Sequence, residues 1–204
     1  MRLLLHHGWG FDARLWEPLR AALPGIEAAA VDRGYFGEAA GAPEGGGPWL
    51  GVGHSLGAAM LFADPPPGCI GLVAINGFDR FTGEGATLKR VVERMQARFA
   101  EAPDGVLAAF RARCGAPPAP PIADPARLAA DLALLAAVDL RGRRASFPIL
   151  SLQGAADPIL PATLRAEAFA GAERCEHKEA GHLLPLTHPT WCAERIRAFA
   201  GAPA

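Results

Sequence analysis

Residues 49–63 read WLGVGHSLGAAMLFA, an apolar run that passes through a glycine-flanked serine into a second apolar run. Residues 49–54 predict a buried strand and residues 56–63 a helix. Gly53 and Gly57 flank Ser55 in the pattern G-x-S-x-G, where a tight turn brings backbone segments together and leaves no room for side chains. Such a turn lifts the serine hydroxyl clear of the sheet and points the Leu56 amide toward a developing oxyanion. The alternative is a glycine-rich turn with a solvated serine.

Short apolar runs alternate with longer helical patterns along most of the chain, which is typical of a parallel sheet with crossover helices. Strands are predicted at residues 2–6, 26–31, 49–54, 69–76, 147–153 and 174–178. Helices are predicted at residues 12–23, 56–63, 87–100, 105–113, 125–138, 160–170 and 189–200. Residues 38–48, rich in glycine, alanine and proline, predict a loop in place of a crossover helix. The pattern indicates a single α/β domain over residues 1–204.

The interval 78–144 breaks this alternation with three helical stretches. The first has a stripe of apolar side chains at helical spacing, and the other two flank the proline-rich segment 115–125. A helical insertion of this size in an α/β sheet is typical of a cap over an active site. We therefore predict a cap over 78–144; the alternative is a packing subdomain with no part in chemistry.

Two further residues complete a candidate catalytic set with Ser55. A serine hydroxyl is a weak nucleophile unless an imidazole takes its proton and a carboxylate orients that imidazole. Asp157 and His182 each follow a predicted strand, at the end of the sheet where parallel strands place functional groups. Their order after Ser55, acid and then histidine, is that of one large class of serine hydrolases. Asp139 is a second candidate acid, but it precedes its strand and is expected at the opposite end of the sheet.

The first strand ends in His6-His7-Gly8-Trp9-Gly10. We expect the Trp9 amide to be the second donor to an oxyanion formed at Ser55, and His7 to brace this turn by hydrogen bonding. The alternative is a metal site made of His6, His7 and His54. Adjacent histidines on a strand point to opposite faces and no carboxylate completes the ligand set, so no metal and no other cofactor is expected.

Composition limits the other classes of function. Hydrophobic residues make up 50% of the chain and charged residues 20%, which is enough apolar material for a core. A net charge of −1 gives no reason to expect nucleic-acid binding. We expect a cytoplasmic protein without membrane attachment, because no apolar run approaches the ~20 residues that span a bilayer and the N-terminus lacks a signal-peptide core. The widely spaced cysteines are expected to be reduced: Cys69, Cys114, Cys175 and Cys192.

These motifs resemble those of the α/β-hydrolase superfamily: H-G-W-G at 7–10, G-H-S-L-G at 53–57, G-A-A-D-P at 154–158 and A-G-H at 180–182. Within it the sequence is similar to the pimeloyl-[acyl-carrier protein] methyl ester esterases, the BioH-type enzymes of biotin synthesis. The similar stretches are HHGWGFDARLWEPL at 6–19, LKRVVERMQARF at 88–99 and VDLR at 138–141. The resemblance implies an α/β-hydrolase fold with a minimal, mostly parallel six-stranded sheet and a helical cap insertion. Because the chain starts at a strand that family members reach only after another, all six strands are expected to be parallel.

The resemblance also implies roles for individual residues. Ser55 would be the nucleophile, His182 the base and Asp157 the group that orients the base. Trp9 and Leu56 would supply the oxyanion amides. Met95 and Phe99 stand where the family places an aromatic residue and an amide near the substrate, and so are expected to bind substrate.

Basic residues of the predicted cap suggest a partner. Arg90 and Arg94 are four residues apart, hence on one face of a helix, and match family arginines that contact the acyl carrier protein; Arg111 is a third candidate. Since acyl carrier proteins are acidic, a basic cap would steer docking beside the active site. The alternative is a merely solvated helix face.

The expected reaction is hydrolysis of a carboxylic ester through an acyl-enzyme. The resemblance implies the methyl ester of pimeloyl-[acyl-carrier protein] as substrate. A general short-chain carboxylesterase or thioesterase, acting on esters without a carrier, is the alternative within enzymes. A non-catalytic ligand-binding relative is the alternative outside them, and the complete set of Ser55, Asp157 and His182 disfavours it.

Overall fold

A computed structural model describes residues 1–44, 47–82 and 86–201. One sheet contains six strands: β1 (Arg2–His6), β2 (Ala28–Val31), β3 (Trp49–His54), β4 (Cys69–Ile75), β5 (Ile149–Gly154) and β6 (Glu173–His177). Their spatial order is β2-β1-β3-β4-β5-β6, and every neighbouring pair is parallel. The predicted six-stranded parallel sheet is confirmed.

The central strands are apolar because both faces of the sheet are covered. All six residues of β3 are buried, whereas the edge strands β2 and β6 contain no fully buried residue. A continuous apolar run is the expected signature of a strand buried on both faces. This explains why β3, which leads into Ser55, has the bounds that the sequence predicted.

Among the described residues, six helices lie between successive strands, and two follow the last strand. They are α1 (Glu17–Ala21), α2 (Leu56–Ala63), α3 (Ala86–Phe99), α4 (Pro103–Cys114), α5 (Pro125–Ala137) and α6 (Ala162–Glu167), and then α7 (Leu184–Thr187) and α8 (Pro189–Gly201). In the part of the chain that the structure describes, no helix is both long and apolar enough to cross a bilayer.

Some predicted bounds are wrong for local reasons. Residues 12–23 form a 3-10 turn over Ala13–Trp16 and then the short α1, because Pro18 has no N–H for a continuous α-helix. The helix predicted at 160–170 is shorter, since the Leu160 amide bonds the Asp157 carboxylate and Phe169 has a positive φ of 52°. Helix α7 was not predicted.

The predicted loop at 38–48 is partly described. Residues 45 and 46 lie outside the described residues, and the rest of the stretch contains no helix. Asp32 and Ala40 exchange backbone hydrogen bonds of 2.8 and 2.9 Å, so the chain after β2 turns back on itself beside the edge of the sheet.

Helices α3, α4 and α5 form the insertion between β4 and β5. The insertion lies against the turn that follows β1. The Trp9 indole donates a 2.8 Å hydrogen bond to the Leu128 carbonyl of α5, and its ring centre lies 4.9 Å from that of Phe110 on α4. A salt bridge adds a second attachment, because Arg33 after β2 donates two hydrogen bonds to Asp131 of α5. The insertion is therefore fixed to the end of the sheet that carries Ser55.

Candidate active site

Ser55 occupies a strained turn between β3 and α2. Its φ of 53° and ψ of −122° lie where side chains other than glycine are rare. A Cβ atom on Gly53 would clash with the backbone of Ala58, and one on Gly57 would clash with the carbonyls of His6 and His7. The two glycines of G-x-S-x-G are therefore required by close backbone approach, as the sequence predicted.

His182 and Asp157 form a buried pair at the same end of the sheet. His182 Nδ1 donates a 2.8 Å hydrogen bond to Oδ2 of Asp157, and both side chains are fully buried. An ionised carboxylate can only accept, so Nδ1 carries a proton, and Nε2 is the ring nitrogen that faces away from Asp157. Within the described residues Nε2 has no hydrogen-bond partner. The Ser55 hydroxyl is thus not bonded to it in this state.

The backbone of His182 is tied to the residue that precedes Ser55. His54 Nε2 donates a 2.8 Å hydrogen bond to the His182 carbonyl, and the two ring centres are 4.8 Å apart. Burial, with the neighbouring His182, lowers the pKa of His54 to about 3, so this imidazole is neutral at ordinary pH. The His54 ring therefore links the β3 turn directly to the His182 loop.

The Asp157 carboxylate accepts four hydrogen bonds. Oδ2 receives the Asn76 amide at 2.6 Å besides His182, and Oδ1 receives the amides of Ile159 at 2.7 Å and Leu160 at 3.2 Å. Burial disfavours the charged form, but the His182 imidazole and these donors outweigh it and hold the pKa of Asp157 below its ordinary value. Asp157 therefore remains a carboxylate that orients His182.

Asn76 was missed by the sequence analysis. It follows β4, is fully buried and has a φ of 45°. Asn enters this left-handed region more readily than most residues, and its position directly after a central strand was the only signal of a site role in the sequence. The second candidate acid, Asp139, is exposed and paired with Arg141 at 2.6 Å.

The turn after β1 lies against Ser55. A Cβ atom on Gly8 would lie 2.9 Å from Cβ of Ser55 and 3.0 Å from Nδ1 of His54, so only glycine fits there. Among the described residues, neither the Trp9 amide nor the Leu56 amide donates a hydrogen bond within the backbone. Leu56 directly follows Ser55, and Trp9 directly follows Gly8, the residue that lies against Ser55.

His7 braces this turn in the way the sequence predicted. Its Nδ1 donates a 2.9 Å hydrogen bond to the Gly8 carbonyl, and its Nε2 accepts the Arg33 amide at 3.0 Å. The neighbouring His6 makes a different contact, because its Nδ1 donates a 3.0 Å hydrogen bond to the His7 carbonyl. Among the described residues, no group of three or more His, Cys, Asp or Glu side chains is arranged to hold a metal ion.

A groove of about 780 Å³ runs between α3, α4 and the loop after Asp157. Its walls are mainly apolar and include Leu88, Val91, Met95, Phe110 and Ile159. Met95 is one of the residues that line this groove. Phe99 does not line the groove in the described residues; it is buried edge-on against Trp9, with ring centres 6.1 Å apart.

The three arginines expected at a docking surface lie in different places. Arg90 and Arg94 are exposed on α3, and Arg94 borders the groove. Arg111 is only 8% exposed, and burial lowers the pKa of its guanidinium from the ordinary value. A buried guanidinium cannot meet a partner protein, so the expectation that Arg111 contacts a carrier is corrected.

No family model and no curated protein matches this chain. Solved structures do match its fold. An esterase from Thermogutta terrifontis is 21% identical, with a TM-score of 0.78 over 98% of this chain and 89% of that one. An alpha/beta hydrolase fold protein from Burkholderia ambifaria is 18% identical, with a TM-score of 0.66 over 96% and 89%. A carboxylesterase from Bacillus subtilis is 17% identical, with a TM-score of 0.64 over 100% and 84%. The chain has the α/β-hydrolase fold.

Proposed function

On this α/β-hydrolase fold we propose that the chain is a serine carboxylesterase. The observation that carries the proposal is the buried 2.8 Å hydrogen bond from His182 to Asp157, which orients the ring and leaves Nε2 without a partner among the described residues, at the end of the sheet where the strained turn presents Ser55. An oriented imidazole beside a serine on such a turn is the arrangement that makes a hydroxyl nucleophilic. The apolar groove that ends at the Asp157 loop provides room for an acyl chain.

The proposed reaction has two halves. His182 Nε2 takes the proton of Ser55 as its oxygen attacks the ester carbonyl carbon, and the amides of Trp9 and Leu56 donate to the oxyanion. The tetrahedral intermediate collapses, His182 protonates the departing alcohol, and an acyl-enzyme remains on Ser55. Water, activated by His182, then releases the acid. We expect substrate binding in the groove to bring the Ser55 hydroxyl within hydrogen-bond distance of His182 Nε2, because catalytic hydrogen bonds are often long before substrate binds.

Ester hydrolysis by the Ser55→Ala variant tests this function. With a soluble short-chain nitrophenyl ester, kcat is expected to fall by about 10⁴-fold or more. Ser146→Ala is the matched control, because Ser146 is exposed in the loop before β5, and its kcat is expected to equal that of wild type. Near-normal turnover by Ser55→Ala would exclude the proposal.

For the natural substrate we propose the methyl ester of pimeloyl-[acyl-carrier protein]. The resemblance of residues 6–19, 88–99 and 138–141 supports it. So does the groove, whose mainly apolar lining suits a linear aliphatic chain, with the exposed cations Arg90 and Arg94 on the helix that forms one side. An acidic carrier docked on α3 would place its acyl chain at the groove.

Charge reversal on α3 tests the docking step. Arg90→Glu with Arg94→Glu is expected to lower kcat/KM for the carrier-bound ester by about tenfold or more, since like charges now face the carrier, and to lower kcat/KM for a soluble methyl ester far less. Arg20→Glu with Arg195→Glu, on the exposed faces of α1 and α8, makes the same change in charge away from the groove and is expected to have little effect. Equal losses on both substrates would contradict docking on α3.

Genetic complementation separates this substrate from the alternatives. Expression in a host that lacks its pimeloyl methyl ester esterase is expected to restore growth without biotin, and the Ser55→Ala variant is expected not to do so. Confirmed expression without growth, together with turnover of soluble esters, would instead identify a general short-chain carboxylesterase or thioesterase.

A further inference from the structure

Arg111 is a buried cation held by neutral groups. Its Nη1 donates a 2.7 Å hydrogen bond to the Gly10 carbonyl, and its Nε donates a 2.9 Å hydrogen bond to the Pro117 carbonyl. Its Cζ lies 4.9 Å from the ring centre of Phe11. Within the described ranges 1–44, 47–82 and 86–201, it forms no ion pair with a carboxylate. Burial of this guanidinium costs free energy, because the charge loses its hydration. This cost indicates that the guanidinium is required at this place.

Two of the residues that Arg111 contacts belong to the turn that follows β1. Gly10 and Phe11 come directly after Trp9, whose amide is the proposed oxyanion donor. Gly10 has a φ of 73°, and a Cβ atom there would lie 2.9 Å from Leu107 of α4, so the turn is pressed against the helix that carries Arg111. His7 holds the other side of the same turn through the Gly8 carbonyl.

We propose that Arg111 is a positioning residue that fixes the Trp9 amide toward the oxyanion at Ser55. This role rests on the proposed esterase function. The guanidinium fork joins the turn to the segment after α4, because one nitrogen bonds Gly10 and another bonds Pro117. The insertion thereby helps to form the oxyanion site as well as the groove. The Trp9 N–H belongs to the Gly8–Trp9 peptide unit, whose carbonyl bonds His7, and Arg111 holds the same turn two peptide units further on, at the Gly10 carbonyl. The indole bond to Leu128 fixes the Trp9 side chain between these two points.

The Arg111→Met variant tests this role, since methionine keeps apolar volume and removes every donor. With a soluble nitrophenyl ester, kcat is expected to fall by about 10- to 100-fold, as for loss or misplacement of an oxyanion donor, while KM changes little. The affinity for a trifluoromethyl ketone, which forms a tetrahedral adduct with the serine, is expected to fall by the same factor. Arg127→Met, an exposed arginine on α5, is the matched control and is expected to retain the wild-type kcat.

Chemical rescue adds a readout that a merely structural role would not give. Arg111 lines a small surface pocket of about 220 Å³ with Phe11 and Pro117, through which methylguanidinium can reach the vacated site. In Arg111→Ala, whose short side chain leaves that position open, methylguanidinium is expected to restore part of the lost kcat, and it is not expected to alter wild type. If Arg111→Met does not fold, Arg111→Lys is measured instead; lysine cannot bond both carbonyls as a fork, so its kcat is expected to fall with KM unchanged.

The outcomes separate the two proposals. A folded variant with wild-type kcat and inhibitor affinity would overturn the role of Arg111, as would a loss confined to carrier-bound substrate. Wild-type protein that turns over no ester and is not labelled at Ser55 would overturn the esterase function itself.

Discussion

The side-chain amide of Asn76 donates a 2.6 Å hydrogen bond to Oδ2 of Asp157, the same oxygen that accepts Nδ1 of His182. Because a carboxylate accepts and cannot donate, the amide nitrogen must face it. Asn76 also approaches the Gly181 carbonyl at 3.4 Å. One side chain at the end of β4 thus spans the loops that carry the acid and the base.

Removing this amide is expected to impair catalysis more than folding. Asn76→Gly retains the freedom to adopt a φ of 45°, and its kcat is expected to fall about tenfold because Asp157 loses a charge-assisted hydrogen bond. Asn76→Ala loses the same bond and adds about 1–2 kcal/mol of backbone strain. Equal kcat values for these two variants, with a lower stability to urea for the alanine, would identify the amide as the catalytic contribution. Wild-type kcat in Asn76→Gly would contradict it.

Gly8→Ala is expected to separate the turn after β1 from the serine. The new methyl group would lie 2.9 Å from Cβ of Ser55 and 3.1 Å from the His54 carbonyl, so the turn that bears the Trp9 amide must move. We expect kcat for a soluble ester to fall by about 100-fold. Gly142→Ala, where a Cβ atom meets nothing within 4 Å, is the control. Unchanged turnover in Gly8→Ala would show that this turn does not contribute to the site.

The buried histidines predict how stability depends on pH. Burial lowers the pKa of His54 to about 3 and that of His6 to about 4, below the ordinary value of 6.5. The unfolded chain therefore takes up protons first as the pH falls, and stability decreases from pH 6.5 toward 4, by up to about 1.4 kcal/mol per pH unit for each histidine.

Urea unfolding at pH 5 and pH 7 measures this dependence. His54→Phe removes one of the two groups and is expected to show a shallower loss of stability between these pH values than wild type. It is also expected to be less stable at pH 7, because the His182 carbonyl loses its donor. An equal pH dependence in both proteins would exclude His54 as a source of it.

Met95 is expected to limit the length of the acyl chain. It lies on α3 in the wall of the groove, so Met95→Trp would fill part of the space with a larger rigid side chain. The ratio of kcat/KM for octanoyl esters to that for butanoyl esters is expected to fall about tenfold. The reason is that the last few methylene groups of the octanoyl chain would be excluded from the apolar groove. Ala97→Ser, a small change in the same groove, is the control. An unchanged ratio would place the acyl chain elsewhere.

The serine turn and its position could be predicted from the sequence, because the requirement for Gly53 comes from the backbone of Ala58, five residues further along the chain. The contact of Gly57 with the His6 and His7 carbonyls comes from a strand distant in the sequence, but the G-x-S-x-G pattern already includes that glycine. Asp157 and His182 could also be predicted as the acid and the base, because each follows a predicted strand. Asn76 and the His54 link could not be predicted, since both depend on loops more than 80 residues away in the chain. The burial of Arg111 depends on how α4 packs on the β1 turn, which periodicity does not reveal.

Mass analysis after treatment with a fluorophosphonate probe tests most directly whether Ser55 is an activated nucleophile. We expect one probe molecule per chain, attached to the peptide that contains Ser55, and labelling slowed by at least about 1,000-fold in His182→Ala, which removes the base. Labelling of a different residue, or equal rates in wild type and His182→Ala, would contradict a serine activated by this histidine.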